Sequence, residues 1–426
     1  MSIPRLDIVV FGATGFTGKY AVHEVLKLSK DKGGLSWGVS GRNEKKLRDV
    51  LKEVSEKSGE DLSNIEIIVA DVSKEETLLK MAARAKVVVN CAGPYRFYGE
   101  PVVKACIASG THHVDVSGEP QYMERMQLEY HEAAEKKGVY IVSACGFDSI
   151  PADIGTVFLQ DKFEGTINSV ETYLEAWSKG HHKGSAIHYG TWESAVYGLA
   201  HANELRPLRT KLFPNRLPQL KPKLKPRSAI HRSDVVQGWC VPFPGSDRSV
   251  ILRSQRHFFD KNNQRPAQVQ SYVAFRSLFA VAVVALVGAV FAVLARFRCG
   301  RSLLLKYPSL FSFGMISHEG PSEEAAENTF FALTVRGEGW KEKLAEPTDH
   351  FTEPPNKTMS VKVTGRNPGY GATTTMLVMT AFMCLTESDK MPSRGGVYPP
   401  GAAFAKTSLI QQLIERGVKF EVLSSL

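Results

Sequence analysis

The sequence predicts an α/β protein whose amino-terminal part is a doubly wound parallel sheet with helices on both faces. Strand-length apolar runs alternate with helix-period runs from the first residues onward. The first of these runs ends in a glycine-spaced turn. Late in the chain a long stretch without charge marks an apolar helix inserted into whatever follows the sheet.

The strand-like runs are Leu6 to Phe11, Leu35 to Ser40, Ile65 to Ala70, Val87 to Asn90, His112 to Val116 and Val139 to Ala144. Between the first two, Lys19 to Leu28 places apolar side chains at 21, 22, 25 and 26, the spacing of one helix face. The first strand leads into Gly12, Ala13, Thr14, Gly15, Phe16, Thr17 and Gly18. Glycines at that spacing let the backbone turn tightly and approach a pyrophosphate, whose charge rests on the N-terminus of the next helix. A glycine turn alone is also compatible with a merely tight connection, so the other strand ends matter. At the end of the second strand, where an acid would accept the ribose 2′-hydroxyl of NAD, the chain has Arg42, which suits a 2′-phosphate and favours NADP. Asp71 follows the third strand, within reach of an adenine amino group, and Asn90, Gly93 and Pro94 shape the loop after the fourth, beside a nicotinamide ribose.

A length of 426 residues favours two domains, divided here as 1–155 and 156–426. The six cysteines fall singly, with no C-x-x-C pair and no histidine ladder, which suggests neither a disulfide framework nor a metal site and fits a reducing compartment. The chain enters its first strand directly after Pro4, so no leader peptide is expected. The net charge of +9 belongs to one place: residues 206–232 hold nine Lys and Arg, five Pro and no acid. That composition describes either a solvated, proline-stiffened linker or a contact with anionic lipid. Nucleic acid is not expected, because no aromatic stacking platform accompanies the charges.

No tyrosine has lysine four residues on, so the Tyr-x-x-x-Lys chemistry of short-chain dehydrogenases is excluded. Ligands of open α/β sheets bind beyond the carboxyl ends of the strands. The loops there offer Tyr95, Asp115 with Ser117 and Glu119, and Asp148 with Ser149. Tyr95 is a proton donor or a packing wall. Asp148 and Ser149 are acid–base groups or, as the heavier expectation, caps for a helix opening at Pro151. His112 and His113 alternate across a strand and cannot serve one site. His181, His182 and His188 read as surface or substrate-wall residues.

Between Arg276 and Arg296 lie 19 uncharged residues, about 28 Å as a helix, enough to cross or enter a membrane. Strand-like runs at 170–174, 249–253, 330–335 and 359–363 flank the segment, and one sheet built from them would be torn by a single crossing. A one-sided insertion is therefore expected, returning through residues 303–313 with Arg296, Arg298, Arg301 and Lys306 among head groups. A lipid droplet, or the cytosolic face of an intracellular membrane, is the expected location.

The runs GPYRFYGEPVVKACIASG, HHVDVSGE, SACGFDSIPADIG and GGVYPPGAAF resemble the saccharopine reductase family over nearly the whole chain, with Gly146 to Asp153 the most specific stretch. The resemblance implies a Rossmann-type NADP-binding domain followed by an α+β domain that closes over the nicotinamide. It also implies oxidoreductase activity. A site for a soluble tricarboxylate such as saccharopine should gather several Arg or Lys at the crevice, and no motif does so. Bacterial members look like enoyl reductases acting on lipid-linked chains, which suggests a hydrophobic substrate. The open alternatives are a non-catalytic lipid-surface protein that keeps its dinucleotide site and a soluble amino-acid reductase. Homo-oligomerisation is left open.

Overall fold

The computed structural model describes residues 4–180, 184–344 and 346–425. Its first sheet is built from β1 (Leu6–Phe11), β2 (Trp37–Gly41), β3 (Glu66–Val69), β4 (Ala85–Asn90), β5 (His112–Asp115) and β6 (Tyr140–Val142). These alternate with α1 (Phe16–Lys32), α2 (Glu44–Ser58), α3 (Glu75–Arg84), α4 (Tyr95–Ser109) and α5 (Pro120–Lys137), and α6 (Ile150–Lys162) follows. All neighbours are parallel in the order β6-β5-β4-β1-β2-β3. Helices cover both faces, so β1 and β4 can be apolar on both sides, and Ile8, Val9, Val10, Val87, Val88 and Val89 are all fully buried. The strand order reverses between β1 and β4, where Phe11 pairs with Asn90, and a crevice opens beyond their carboxyl ends.

The first sheet does not end with the first 155 residues. Gly396–Tyr398 adds a seventh parallel strand beside β6. The buried helix Thr373–Thr386 packs against α1, β4 and β5. The amino-terminal unit is thus completed by the far end of the chain.

The second sheet runs through Lys419–Ser425, Lys357–Arg366, Thr329–Trp340, β7 (Thr166–Ser178), Gln268–Phe275, Trp239–Pro242 and His231–Arg232. Only Gln268–Phe275 lies parallel to its neighbour β7. α6 crosses from the crevice onto this sheet so closely that a Cβ on Gly155 would sit 3.1 Å from Val363. The expected runs at 170–174, 330–335 and 359–363 are strands, but residues 249–253 belong to the helix Asp247–Asn262. Val250, Ile251, Ser254 and Phe258 are its buried stripe, a 3.6-residue period that a five-residue window conceals.

The apolar segment is one helix, Leu278–Arg296, capped by the Ser277 hydroxyl on the Phe279 amide. Only Val281 and Ala295 are buried along it, whereas Phe279 is 78% exposed and Leu286 65%. The chain returns through Arg298–Lys306 and Pro308–Phe311 to Ile316–Ser317, which pairs with Ile187–His188. Strands on both sides of the segment in sequence share the second sheet, so the helix leaves and re-enters one body.

The basic segment is not a solvated linker. Arg209 makes a forked pair with the buried Glu124, and Arg227 does the same with Glu171. The Pro222 carbonyl accepts from Asn168 and Gln268. Lys221, Lys223 and Lys225 are exposed beside the Gln268 end of that strand, while the apolar helix leaves beyond the Phe275 end. Seven residues of extended chain, roughly 23 Å, separate the two ends. Of the basic segment's charges, Arg232 stands nearest the helix, in register with Trp239, which pairs with Phe275.

Candidate functional site

The turn after β1 is shaped by close approach. Gly12 has φ of +78°, and a Cβ there would lie 2.9 Å from the Ala92 amide nitrogen. A Cβ on Gly18 would collide with the Gly12 carbonyl oxygen, so only glycine lets α1 start against the turn. Ala13 is buried, Thr14 and Thr17 are half-buried, and Gly15 stands exposed at the rim. No side chain caps α1, so the first amides, from Phe16 onward, keep free N–H groups at a positive helix end. This cradle fits a dinucleotide diphosphate. Arg42 lies exposed at the end of β2 with no ion pair among the described residues, as a 2′-phosphate requires. The neighbouring Asp71 carboxylate accepts from the Ser73 amide at 2.9 Å and its hydroxyl at 2.8 Å, and the amide bond chiefly holds its pKa below the ordinary value.

Residues of the second half close over the glycine loop. The Phe16 ring stacks on His188 at 5.0 Å and meets Tyr370 edge-on at 4.5 Å. The His188 amide donates to the Tyr370 hydroxyl at 2.8 Å, and its Nδ1 accepts from the Gly190 amide, capping the helix Tyr189–Ala200. His188 is therefore part of the site wall, while His181 and His182 lie outside the described residues. The same helix turns Trp192 against Phe291 of the apolar helix, with ring centroids 4.7 Å apart. Its Ser194 hydroxyl donates to Glu119 at 3.0 Å.

The crevice loops are held by buried polar groups. Asn90 Oδ1 accepts from the Ala92 amide at 3.0 Å, and its amide nitrogen lies 3.2 Å from His113 Nε2. Gly93 and Pro94 join it to α4 through a cis peptide, and a Cβ on Gly93 would sit 3.4 Å from the Tyr95 ring. His112 instead accepts from the Tyr140 amide, so the two histidines do face apart; burial lowers them to about 4 and about 3. The Asp115 carboxylate gathers the Ser117 and Ala144 amides and the Ser143 and Tyr122 hydroxyls, while burial raises it to about 6. Ala144 adopts φ of +63°, uncommon for an L-residue, where the β6 chain bends into the Asp148 loop. Glu119 accepts from the Tyr95 and Arg96 amides at the N-terminus of α4, tying that helix to Tyr189–Ala200.

Tyr95 does not present its hydroxyl to the crevice. It is 6% exposed, donates to the Asn90 carbonyl at 2.9 Å, and burial raises its pKa well above the ordinary tyrosine value. Tyr95→Phe is expected to cost about 1 kcal/mol of stability through that one bond, with NADPH affinity kept. Urea unfolding beside a fluorescence titration measures both, and a collapse of nucleotide binding would return the residue to the cofactor site. Ser149 takes the first position before α6, but its hydroxyl donates to the Asp148 carbonyl at 2.6 Å and meets Ser246 at 3.2 Å, making no cap bond. The expected side-chain cap is therefore not made. Asp148 lies at the bottom of the crevice, open to water yet crowded by protein, and that crowding raises its carboxyl.

Three side chains beside Asp148 escape a sequence reading. Asp153 Oδ2 accepts from the Ser254 hydroxyl at 2.8 Å and the Gly401 amide at 2.6 Å. Asp247 and Arg253 are each 4% exposed, on a helix that reads as a strand in sequence. The Ser246 and Asp247 pair after Pro244 and Gly245 was the available signal of a helix start.

A reversed parallel sheet, a glycine cradle with free amides and an unpaired arginine for a 2′-phosphate together define an NADP-binding oxidoreductase. Residues 8–142 match the family model of the saccharopine dehydrogenase NADP binding domain. The chain belongs to the saccharopine dehydrogenase-like oxidoreductases: the human protein of that name is 41% identical over 98% of this chain and 97% of its own. A Caenorhabditis elegans relative called lipid droplet localized protein is 37% identical over 99% of both chains. The solved apo saccharopine dehydrogenase (L-Glu forming) of Saccharomyces cerevisiae superposes with a TM-score of 0.57 over 98% of this chain and 100% of that one, at 14% identity, a likeness of fold.

Proposed function

We propose that the protein is an NADP(H)-dependent reductase of a carbonyl or enoyl group on a hydrophobic, lipid-linked substrate, working at a lipid-droplet surface. The observation that carries this reading is the helix Tyr189–Ala200. Its start covers the glycine loop through His188, and its Trp192 grips the exposed apolar helix one turn further on. The nucleotide site and an apolar surface thus stand on one short element. Phe297, Leu303, Tyr307, Leu310 and Phe313 are also exposed where the chain returns, with Arg296, Arg298, Arg301 and Lys306 among them. The droplet location in the worm relative's name supports the same surface.

When bound, the nicotinamide supplies a hydride. The glycine cradle with Phe16 and Thr17 would hold the diphosphate, and Arg42 the 2′-phosphate. Asp148 is the proton donor of this reading, since it alone among Tyr95, Asp148 and Ser149 faces the crevice with an uncommitted proton-bearing group. Ser149 braces the turn that carries it. Arg96 is turned to the Tyr197 carbonyl and Glu204, which supports an uncharged substrate over a tricarboxylate.

Replacing residues 277–295 by a short Gly-Ser linker is expected to move the protein from the floating droplet layer to the soluble fraction while NADPH binding persists. Continued flotation would place the anchor elsewhere and remove the lipid-surface reading.

A further inference from the structure

Three carboxyls, from α6 and from the start of the helix Asp247–Asn262, meet at the crevice floor. The two helix starts are tied by Ser246, whose hydroxyl lies 3.2 Å from that of Ser149 and 3.5 Å from the Asp148 carbonyl. Asp148 Oδ2 presses against Gly118, where a Cβ would be 3.1 Å away and also 4.0 Å from the Ser246 hydroxyl. Asp247 is hidden beside this turn, and its Oδ1 has no hydrogen-bond partner. Arg253 Nη1 and Asp153 Oδ1 are likewise buried and unpartnered in the same cluster. No group of acids, histidines and cysteines among the described residues could hold a metal ion, so a cation does not explain the acids.

A buried carboxyl with no donor beside it is stable only when it keeps its proton. The proton then needs an acceptor. Asp148 and Asp153 are the acids whose charge Asp247 feels, in that order. Asp153 already has Oδ2 engaged by Ser254 and the Gly401 amide, and Arg253 lies close enough to favour its charge. Asp148 has no hydrogen bond to its carboxyl among the described residues and is the member of the group that water reaches. The remaining charges facing the cluster, Glu124 and Arg209, are paired with each other.

We infer that Asp148 and Asp247 form a carboxyl pair sharing one proton, in which Asp247 holds the proton that restores Asp148 after each reduction. This rests on the reductase reading above. Asp148 gives its proton to the anion left on the substrate, at oxygen for a carbonyl or at carbon for an enoyl group, and becomes a carboxylate. Asp247 then passes its proton to Asp148, and a proton from water returns to Asp247 through the solvent-facing Asp148 carboxyl. One solvent proton is consumed per cycle, and no electron moves between the two acids. Asp247 thus acts through Asp148 and touches no substrate.

Infrared titration of protonated carboxyls, on the full chain with saturating NADPH, tests the pair. The wild type should lose these two protons in two well-separated steps, and Asp148→Asn and Asp247→Asn should each leave one step at an intermediate midpoint. A surviving step that coincides with one of the wild-type steps would overturn the pair. If Asp247→Asn fails to fold, the comparison of wild type with Asp148→Asn still decides. With a long-chain enal in neutral vesicles as probe, Asp247→Asn should lower kcat roughly 10-fold or more and shift its pH profile, with KM and NADPH affinity unchanged. An unchanged kcat and pH profile would also overturn it. If the wild type reduces no carbonyl or enoyl probe, the reductase reading fails, while the titration still decides whether the carboxyls are coupled.

Discussion

Arg42→Ala is expected to weaken NADPH binding roughly 30- to 100-fold, the loss of about 2–3 kcal/mol that a charge-assisted phosphate contact supplies. NADH binding should stay within about twofold, because NADH lacks the 2′-phosphate that the guanidinium meets. The exposure of Arg42 and its lack of an ion pair make this a clean substitution: no buried carboxylate is orphaned by it. The neighbouring Asp71 stays oriented by Ser73 and does not depend on the arginine for its place. Fluorescence titration of both nucleotides at two salt concentrations measures the effect. Equal losses for NADPH and NADH would mean that Arg42 supports the loop and reads no phosphate.

The second large effect lies in stability. Asp153 is 1% exposed, and burial, the dominant influence, raises its carboxyl from an ordinary 3.8 to about 7 against the pull of the Gly401 amide, Ser254 and Arg253. The folded state therefore holds this proton more tightly than the unfolded chain does. Between pH 4 and 7 the unfolded chain ionises the group and the folded protein does not, so the wild type loses stability progressively as pH rises through that window. The accumulated cost is on the order of 4 kcal/mol, and it is constant above about pH 7. Asn keeps an oxygen for Ser254 and Gly401 without titrating. The stability of Asp153→Asn relative to wild type should therefore rise between pH 4 and 7 and level off, as urea midpoints across that range will reveal. A pH-independent difference would mean that Asp153 is ionised in the folded protein, with Arg253 as its counter-charge.

Most of the first sheet is legible in the sequence because its strands are short apolar runs bounded by glycine, charge or turn residues, and each lies within two or three residues of its expected place. Gly396–Tyr398 is not legible: three residues carry no period, and nothing local says that they pair with Tyr140–Val142, more than 250 positions away. The helix start at Asp247 is lost for the opposite reason, since Ser249 to Arg253 is apolar enough in a short window to imitate a strand. The nucleotide cradle is visible because its parts follow consecutive strands. The carboxyl cluster is not, because 148, 153 and 247 meet only through the packing of two helices. Tyr95 misleads because a strand-end position says which loop a residue occupies and not which way its hydroxyl turns.

The late arrival of the seventh strand orders the life of the chain as it is made. β6 stands as an unpaired edge, and α1 lacks the covering of Thr373–Thr386, until almost the whole polypeptide has left the ribosome. The apolar helix Leu278–Arg296 emerges well before that closure. The nucleotide-binding unit therefore cannot mature ahead of the part that follows it, and its open edge must be guarded against wrong pairing while the greasy helix is already exposed. A chain cut short anywhere before residue 396 keeps that edge open for good.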